Sequence, residues 1–192
     1  DAWIGLPAAE HDRVAYLVVD PAAMHPVFAP EDDPGGGPDG WVARSTTLGG
    51  ALPNPLAGPG RGFNDARLWS AEIPGAGGIA SAPALARIWS ATVCETGGVR
   101  LLEPETRRRA MVVQSEGPPV FSVPPPWPRW GMGFQLDSEA RRFLTARSFG
   151  HDGAGGQVAF ADPEFGVGFA FLTNYMMARG DTRATMIVDA LR

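Results

Sequence analysis

The segment Phe149-Gly150-His151-Asp152-Gly153-Ala154-Gly155-Gly156 places an imidazole and a carboxylate directly ahead of a run of small residues. An imidazole can take or give a proton near neutral pH. Glycines let a backbone approach a ligand closely and leave its amide N–H groups turned outward. Outward amides of this kind can stabilise the oxyanion formed in acyl transfer. A tight turn in which Asp152 caps a bend before the next strand accounts for the same residues. His11 and His25 stand far from this segment without a spacing that fits a metal site, and both read as surface residues. Trp127 and Trp130 flank Pro128, where they would wall a pocket or pack under a sheet.

The elements that must position these residues follow from periodicity and breakers. Val14, Leu17 and Val18 recur at helical spacing, which predicts a short helix starting near Pro7. From Asp20 to Arg61 prolines recur, Gly35-Gly36-Gly37 interrupts the run and Asp32, Asp33 and Asp39 add charge, so a long loop is expected. Phe63 to Trp69 reads as a short helix. Ser81 has the character of an N-cap, with Pro83 in the first turn and Leu85, Ile88 and Trp89 on a buried stripe. Cys94 is then expected on the buried side of that helix, as a structural thiol. A further helix is expected over Glu103 to Val112, with Arg107, Arg108 and Arg109 on a solvated face.

Beyond the turn-rich stretch Gly117 to Pro128 the pattern changes to strands. Trp130 to Leu136 reads as one strand, Asp137 to Arg142 as a turn and Phe143 to Phe149 as a returning strand. Gln157 to Phe160 and Val167 to Leu172 form a hairpin with turn chemistry at Asp162-Pro163-Glu164-Phe165-Gly166, and Phe160, Phe169 and Phe171 are expected in the core. Thr182 to Leu191 closes the chain as an amphipathic helix, with Met186, Ile187 and Leu191 available to pack on the sheet. The order, helices then antiparallel strands then one helix, predicts an α+β fold. Residues 1–116 are mainly helix and long loop, and 117–192 are antiparallel strands and the closing helix.

With 192 residues, 44% of them hydrophobic, the chain can bury one ordinary core. Sixteen basic against 21 acidic residues give a net charge of −5, which argues against nucleic acid as the partner. All of the basic residues are arginines, so chemistry that needs a lysine is absent. A single cysteine cannot form an internal disulfide. No apolar stretch approaches the ~20 residues of a membrane-spanning helix. The chain begins at Asp1 without an initiator methionine or a targeting signal and reads as a piece of something longer.

Taken together, Gly150 to Gly156, Val158 to Glu164, Gly166-Val167 and Phe171-Leu172-Thr173-Asn174-Tyr175 resemble the end of the β-lactamase-related serine hydrolases. That family includes class C β-lactamases, D-alanyl-D-alanine peptidases and family VIII carboxylesterases. Upstream, Trp3-Ile4-Gly5-Leu6-Pro7, Ile73-Pro74 with Gly78-Ile79, Ala84 to Ile88 and Leu101-Leu102 resemble family sequence in family order, so the likeness covers nearly the whole chain. The resemblance implies acyl transfer through a serine, without a cofactor or metal, on a small ester or amide substrate. His151 matches the Lys or His of the family's third signature triplet, Asp152 its Thr and Gly153 its Gly. The amide of Ala154 would supply half of the oxyanion hole, while Gly155 and Asn174 would lie near the substrate.

The first two signature elements are missing. Ser-x-x-Lys needs a lysine, and neither Tyr16-Leu17-Val18 nor Tyr175-Met176-Met177 fits Tyr-x-Asn or Tyr-x-Ser. The resemblance therefore makes 1–192 the C-terminal portion of a single domain whose nucleophile lies elsewhere. Its strands would lack neighbours, and their open edge would be covered by the missing N-terminal segment or another copy of the chain. Asp152 departs from the family's hydroxyl. If it faces the site, it would repel a substrate carboxylate by about 4 kcal/mol at ~4 Å and an effective dielectric near 20, favouring uncharged esters or amides. If it points away along a pleated strand, it caps the bend instead.

Overall fold

A computed structural model describes residues 1–20, 40, 44, 50–52, 57–119, 124–177 and 181–192. In chain order the elements are β1 (Ala2–Ile4), a 3-10 helix (Ala8–Arg13), β2 (Val18–Val19), β3 (Ala57–Gly58), β4 (Arg61–Gly62), α1 (Ala66–Ser70), β5 (Gly78–Ala80), α2 (Ala82–Ser90) and α3 (Pro104–Ala110). They continue with β6 (Arg129–Trp130), β7 (Gln135–Leu136), β8 (Phe149–Gly153), β9 (Gln157–Asp162), β10 (Val167–Phe171), β11 (Tyr175–Met176) and α4 (Arg183–Leu191). The mixture is α+β, as the sequence order predicts. The chain forms two compact units, the first being Asp1–Ala80 with Val120–Ser122 and Thr173–Gly180, the second Ser81–Pro119 with Val123–Leu172 and Asp181–Arg192.

The second unit is built on a five-stranded antiparallel sheet in the order β10-β9-β8-β7-β6. On one face α2 starts at Ser81, whose Oγ accepts from the Ala84 amide at 3.3 Å, with Pro83 in the first turn. The helix lies flush on β10 because Gly168 has no side chain: a Cβ there would stand 2.1 Å from the Ala86 carbonyl oxygen and 2.2 Å from the Ser90 nitrogen. Phe149, Leu136, Val93 and Ala161 form the core on this face, with Trp89 edge-on to both Phe134 and Phe149 at 5.9 Å. Strand alternation sends Phe160 and Val158 to the opposite face, where they meet Phe143 and the Ala184 and Val188 stripe of α4. Each fully buried phenylalanine here contributes about 2–3 kcal/mol by leaving water.

Asp162 ties the hairpin to the turn before β8. Its Oδ2 accepts from Thr145 and Ser148 hydroxyls, each at 2.6 Å, and its Oδ1 from the amides of Glu164 and Phe165, each at 2.8 Å. Burial pushes this carboxyl up, and the four hydrogen bonds together outweigh burial, so it is held below the usual carboxylate range.

In the first unit β1 pairs with β5, β2 runs parallel to β11, and β3 and β4 make a small hairpin. Buried Asn64 substitutes for a strand partner at Leu17. Its Oδ1 accepts from the Leu17 amide, and its Nδ2 donates to the Leu17 carbonyl, both at 2.8 Å.

Several expectations are corrected. Trp130 to Leu136 is two short strands because Gly133, at φ 80, turns the chain between them. Phe143 to Ser148 is turn rather than strand, since Asp137 caps the Phe143 amide and Ser148 the Thr145 amide. Ile88 is exposed, as are Met186, Ile187 and Leu191 of α4, because Ala184 and Val188 already fill the sheet face. Arg107 is not purely solvated, for its Nη1 donates to the Val93 carbonyl at 3.0 Å. Cys94 lies past the end of α2, half-buried, its Sγ among Ser90, Thr96 and the Gly166 carbonyl. His11 is half-buried and bonded to Ser70 Oγ at 3.1 Å rather than free on the surface. The helix near Pro7 is the short 3-10 element, and the span 20–61 falls largely outside the described residues, as does His25.

Candidate active site on the edge of β8

His151, Asp152 and Gly153 lie within β8 and not in a loop before a strand, because β9 pairs with every residue from Phe149 to Gly153. On its other side β8 is paired with β7 only at Phe149 and Gly150. From His151 onward that edge carries no strand partner among the described residues. Asp152 shows which groups face the open edge: its amide donates to Gln135 Oε1 at 3.0 Å, on the β7 side. In an antiparallel ladder a residue's N–H and C=O point the same way, and the direction alternates along the strand. The Asp152 carbonyl therefore shares that edge, and because the Gly153 carbonyl accepts from the Gly156 amide on the β9 side, the trans peptide turns the Ala154 amide to it as well.

The His151 ring is exposed and lies against Trp130, with centroids 5.3 Å apart and planes inclined by 53°. Its Nδ1 is hydrogen bonded to the Asp152 carbonyl oxygen. A carbonyl can only accept, so Nδ1 carries a proton, and in that tautomer Nε2 is the ring's acceptor. Trp130, a choice between pocket wall and packing in the sequence, thus stands beside the imidazole.

Asp152 does not present a free charge. Arg141 donates to its Oδ2 through Nε at 3.0 Å and Nη2 at 2.9 Å, and the Arg141 Nη1 reaches Thr185 Oγ1 of α4 at 3.1 Å. The carboxylate is directed to the α4 side and compensated there, so the expected repulsion of a substrate carboxylate falls away. Neither Arg141 nor Gln135 stood out in the sequence, since nothing local marks a turn arginine or a strand glutamine as a partner of a residue more than ten positions away.

The turn after β8 is fastened from below. Gly155 and Gly156 both have positive φ, 80 and 98, and the Gly155 carbonyl accepts from Arg183 Nη2 at 3.2 Å. A Cβ on Gly156 would lie 1.9 Å from Asp181 Oδ2. Asp181 is in turn held below the usual carboxylate range, first by its hydrogen bond to Arg183. Gly153 and Ala154 are exposed. Asn174 belongs to the first unit, where its Nδ2 donates to the Tyr16 carbonyl at 3.0 Å and its own carbonyl accepts from the Val18 amide at 2.8 Å. Its side-chain nitrogen holds the segment that leads into β2.

Another Ser–His pair is present in the first unit, Ser70 with His11, but the same His11 Nε2 also lies 3.4 Å from the Leu6 carbonyl. A nitrogen that donates to a carbonyl is not available as a base. A shallow groove of about 590 Å³ is lined by Tyr16 to Val19 and by Ala57, Gly58, Pro59 and Arg61, all outside β8. Among the described residues no His, Cys, Asp and Glu cluster could hold a metal ion, and no helix is long and apolar enough to cross a membrane.

Comparison with known proteins covers the same ground. A family model described as Beta-lactamase matches residues 1–192. The esterase/beta-lactamase LipL of Mycobacterium tuberculosis is 34% identical over 122 residues, covering 59% of this chain and 26% of LipL. A solved penicillin-binding protein homologue from Caulobacter crescentus is 34% identical with a TM-score of 0.73, covering 98% of this chain and 47% of that one. EstA from Arthrobacter nitroguajacolicus Rue61a is 24% identical with a TM-score of 0.74, covering 99% and 48%. A family VIII carboxylesterase is 24% identical with a TM-score of 0.73, covering 100% and 46%. The last two bear on the fold alone. The chain spans about half the length of the solved structures it matches.

Proposed function

Because the chain belongs to the serine β-lactamase-related family, we propose that it is the C-terminal portion of a single-domain hydrolase that cleaves ester or amide bonds through an acyl-enzyme. The nucleophile-bearing Ser-x-x-Lys segment lies outside these residues. The reading is carried by one observation: the open edge of β8, with the Ala154 amide directed to it and His151 beside it. The complete protein's reaction begins when the serine oxygen attacks the substrate carbonyl and its proton passes to the lysine and tyrosine of the absent elements. The carbonyl oxygen becomes an oxyanion, the leaving alcohol or amine departs with a proton, and water releases the acid.

In this scheme the Ala154 N–H donates to the oxyanion, an interaction whose loss in other hydrolases costs about 3 kcal/mol. His151 offers Nε2 to the proton network or to a polar group of the substrate. Gly153 lets the substrate approach the strand, and Gly155 shapes the turn that holds Ala154. Asp152 and Asn174 have no direct part, because their side chains are already given to Arg141 and the Tyr16 carbonyl.

A second reading, a D-alanyl-D-alanine peptidase, transacylase or β-lactamase of the same superfamily, gains from the Asp152–Arg141 pair. With the carboxylate compensated, an anionic substrate is no longer refused on charge. A third reading, a non-catalytic relative that only binds a ligand or partner, has no observation of its own in its favour. The partner of this chain is the missing segment or, in its absence, another copy.

The test is p-nitrophenyl butyrate hydrolysis by the 192-residue chain and by a longer polypeptide that includes Ser-x-x-Lys. The longer protein is expected to cleave the ester and the short chain to match buffer, and His151→Ala in the longer protein to lower kcat by about a hundredfold. Turnover by the short chain alone would overturn the assignment of the nucleophile, and no turnover by the longer protein would favour the binding reading.

A further inference from the structure

The open edge of β8 is not open at every group. A peptide strand adding there in antiparallel fashion would place one residue opposite Asp152 and exchange two hydrogen bonds with it, one to its N–H and one from its C=O. Both are taken. Gln135 Oε1 accepts from the Asp152 amide at 3.0 Å, and His151 Nδ1 donates to the Asp152 carbonyl. Gln135 is only 4% exposed, so its side chain does not swing freely into water. Trp130 packs against the imidazole of the second cap, with ring centroids 5.3 Å apart.

We propose that Gln135 and His151 determine specificity by capping Asp152, so that the site takes a compact acyl group and refuses an extended peptide. The proposal rests on the reading of β8 as the substrate-facing strand. With Asp152 occupied, the next backbone donor on that edge is the Ala154 amide. That donor can serve as half of an oxyanion hole for the single carbonyl oxygen of a small ester and is too little for a peptide ladder. A peptide would have to break both caps, each break weakening its binding by about fivefold to tenfold.

The test uses the ¹⁵N-labelled 192-residue chain and needs no nucleophile, so its failure is distinct from failure of the hydrolase reading. Amide exchange at Asp152 is expected to be at least about tenfold faster in Gln135→Met, a variant of similar volume without the acceptor, than in the unaltered chain. The probe is the extended peptide acetyl-Thr-Val-Thr-Val-Thr-amide at millimolar concentration. It is expected to leave the Asp152 and Gly153 resonances of the unaltered chain in place and to shift them in the Gln135→Met, His151→Ala double variant. Retained dispersion of the Phe160 and Val188 signals shows that each variant is folded, and His151→Ala alone is the second variant if the double one is not. Equal exchange at Asp152 with and without Gln135, peptide shifts in the unaltered chain, or no gain in a folded uncapped variant would overturn the proposal.

Discussion

Arg141 holds Asp152 through two nitrogens on one carboxylate oxygen, Nε at 3.0 Å and Nη2 at 2.9 Å, while its third nitrogen reaches Thr185 of α4. The pair links the closing helix to the strand that carries His151. Its side chains are 18% and 34% exposed, so the interaction lies between a surface pair and a buried one. Removing one partner leaves a half-buried charge to be resolvated. Arg141→Met is expected to destabilise the chain by about 1–2 kcal/mol, read as a lower urea midpoint at constant slope. Adding Asp152→Asn should recover part of that loss, and strict additivity of the two changes would contradict the coupling.

Asp162 predicts a pH dependence. Its folded pKa lies below the unfolded one, so its contribution is fully present above the ordinary carboxylate value, near 4, and is lost as pH falls through the folded value. Stability should therefore drop below about pH 4. Asp162→Ala should remove about 3 kcal/mol at neutral pH and flatten that acid limb, measured by chemical denaturation at a series of pH values. An acid limb of unchanged steepness in the variant would count against this role.

Gly168 predicts a steric cost. A methyl group there meets the Ala86 carbonyl and the Ser90 amide, both backbone atoms that cannot rotate away. Gly168→Ala should lower stability by about 2–3 kcal/mol and disturb the packing of Trp89, visible in its fluorescence. An unchanged Tm would mean that α2 sits less tightly on β10.

The apolar surface left uncovered predicts association of the isolated chain. Among the described residues β10 pairs only with β9, and Met186, Ile187 and Leu191 are exposed at 68%, 41% and 58%. An edge without a lysine, a proline or a bulge is open to pairing with another chain. Sedimentation velocity should show a concentration-dependent shift above the monomer. A compact monodisperse monomer with a sharp cooperative melt would contradict it.

Much of this was legible in the sequence. Ser81 and Pro83 announced α2, the Asp162 to Gly166 turn announced the β9–β10 hairpin, and the glycine-rich segment after His151 announced the turn that follows β8. What was not legible depends on partners distant along the chain. The sequence left Asp152 either facing the site or capping the bend, because nothing local names Arg141 as its partner. Gln135 looked like one residue of a longer strand because the Gly133 turn that ends β6 and the partner of its side chain exist only in three dimensions. Apolar spacing placed Met186 and Ile187 against the sheet, whereas the small residue Ala184 lets α4 approach along the Ala184–Val188 stripe and leaves that flank outside.

We propose that these residues supply the oxyanion-binding strand and not the nucleophile. The most direct measurement is labelling of the 192-residue chain and of the longer polypeptide with a fluorophosphonate, followed by intact mass and mapping of the modified serine. No adduct is expected on this chain, Ser70 included, and a single adduct is expected on the longer polypeptide outside these residues. A stoichiometric adduct on any serine of this chain would contradict it.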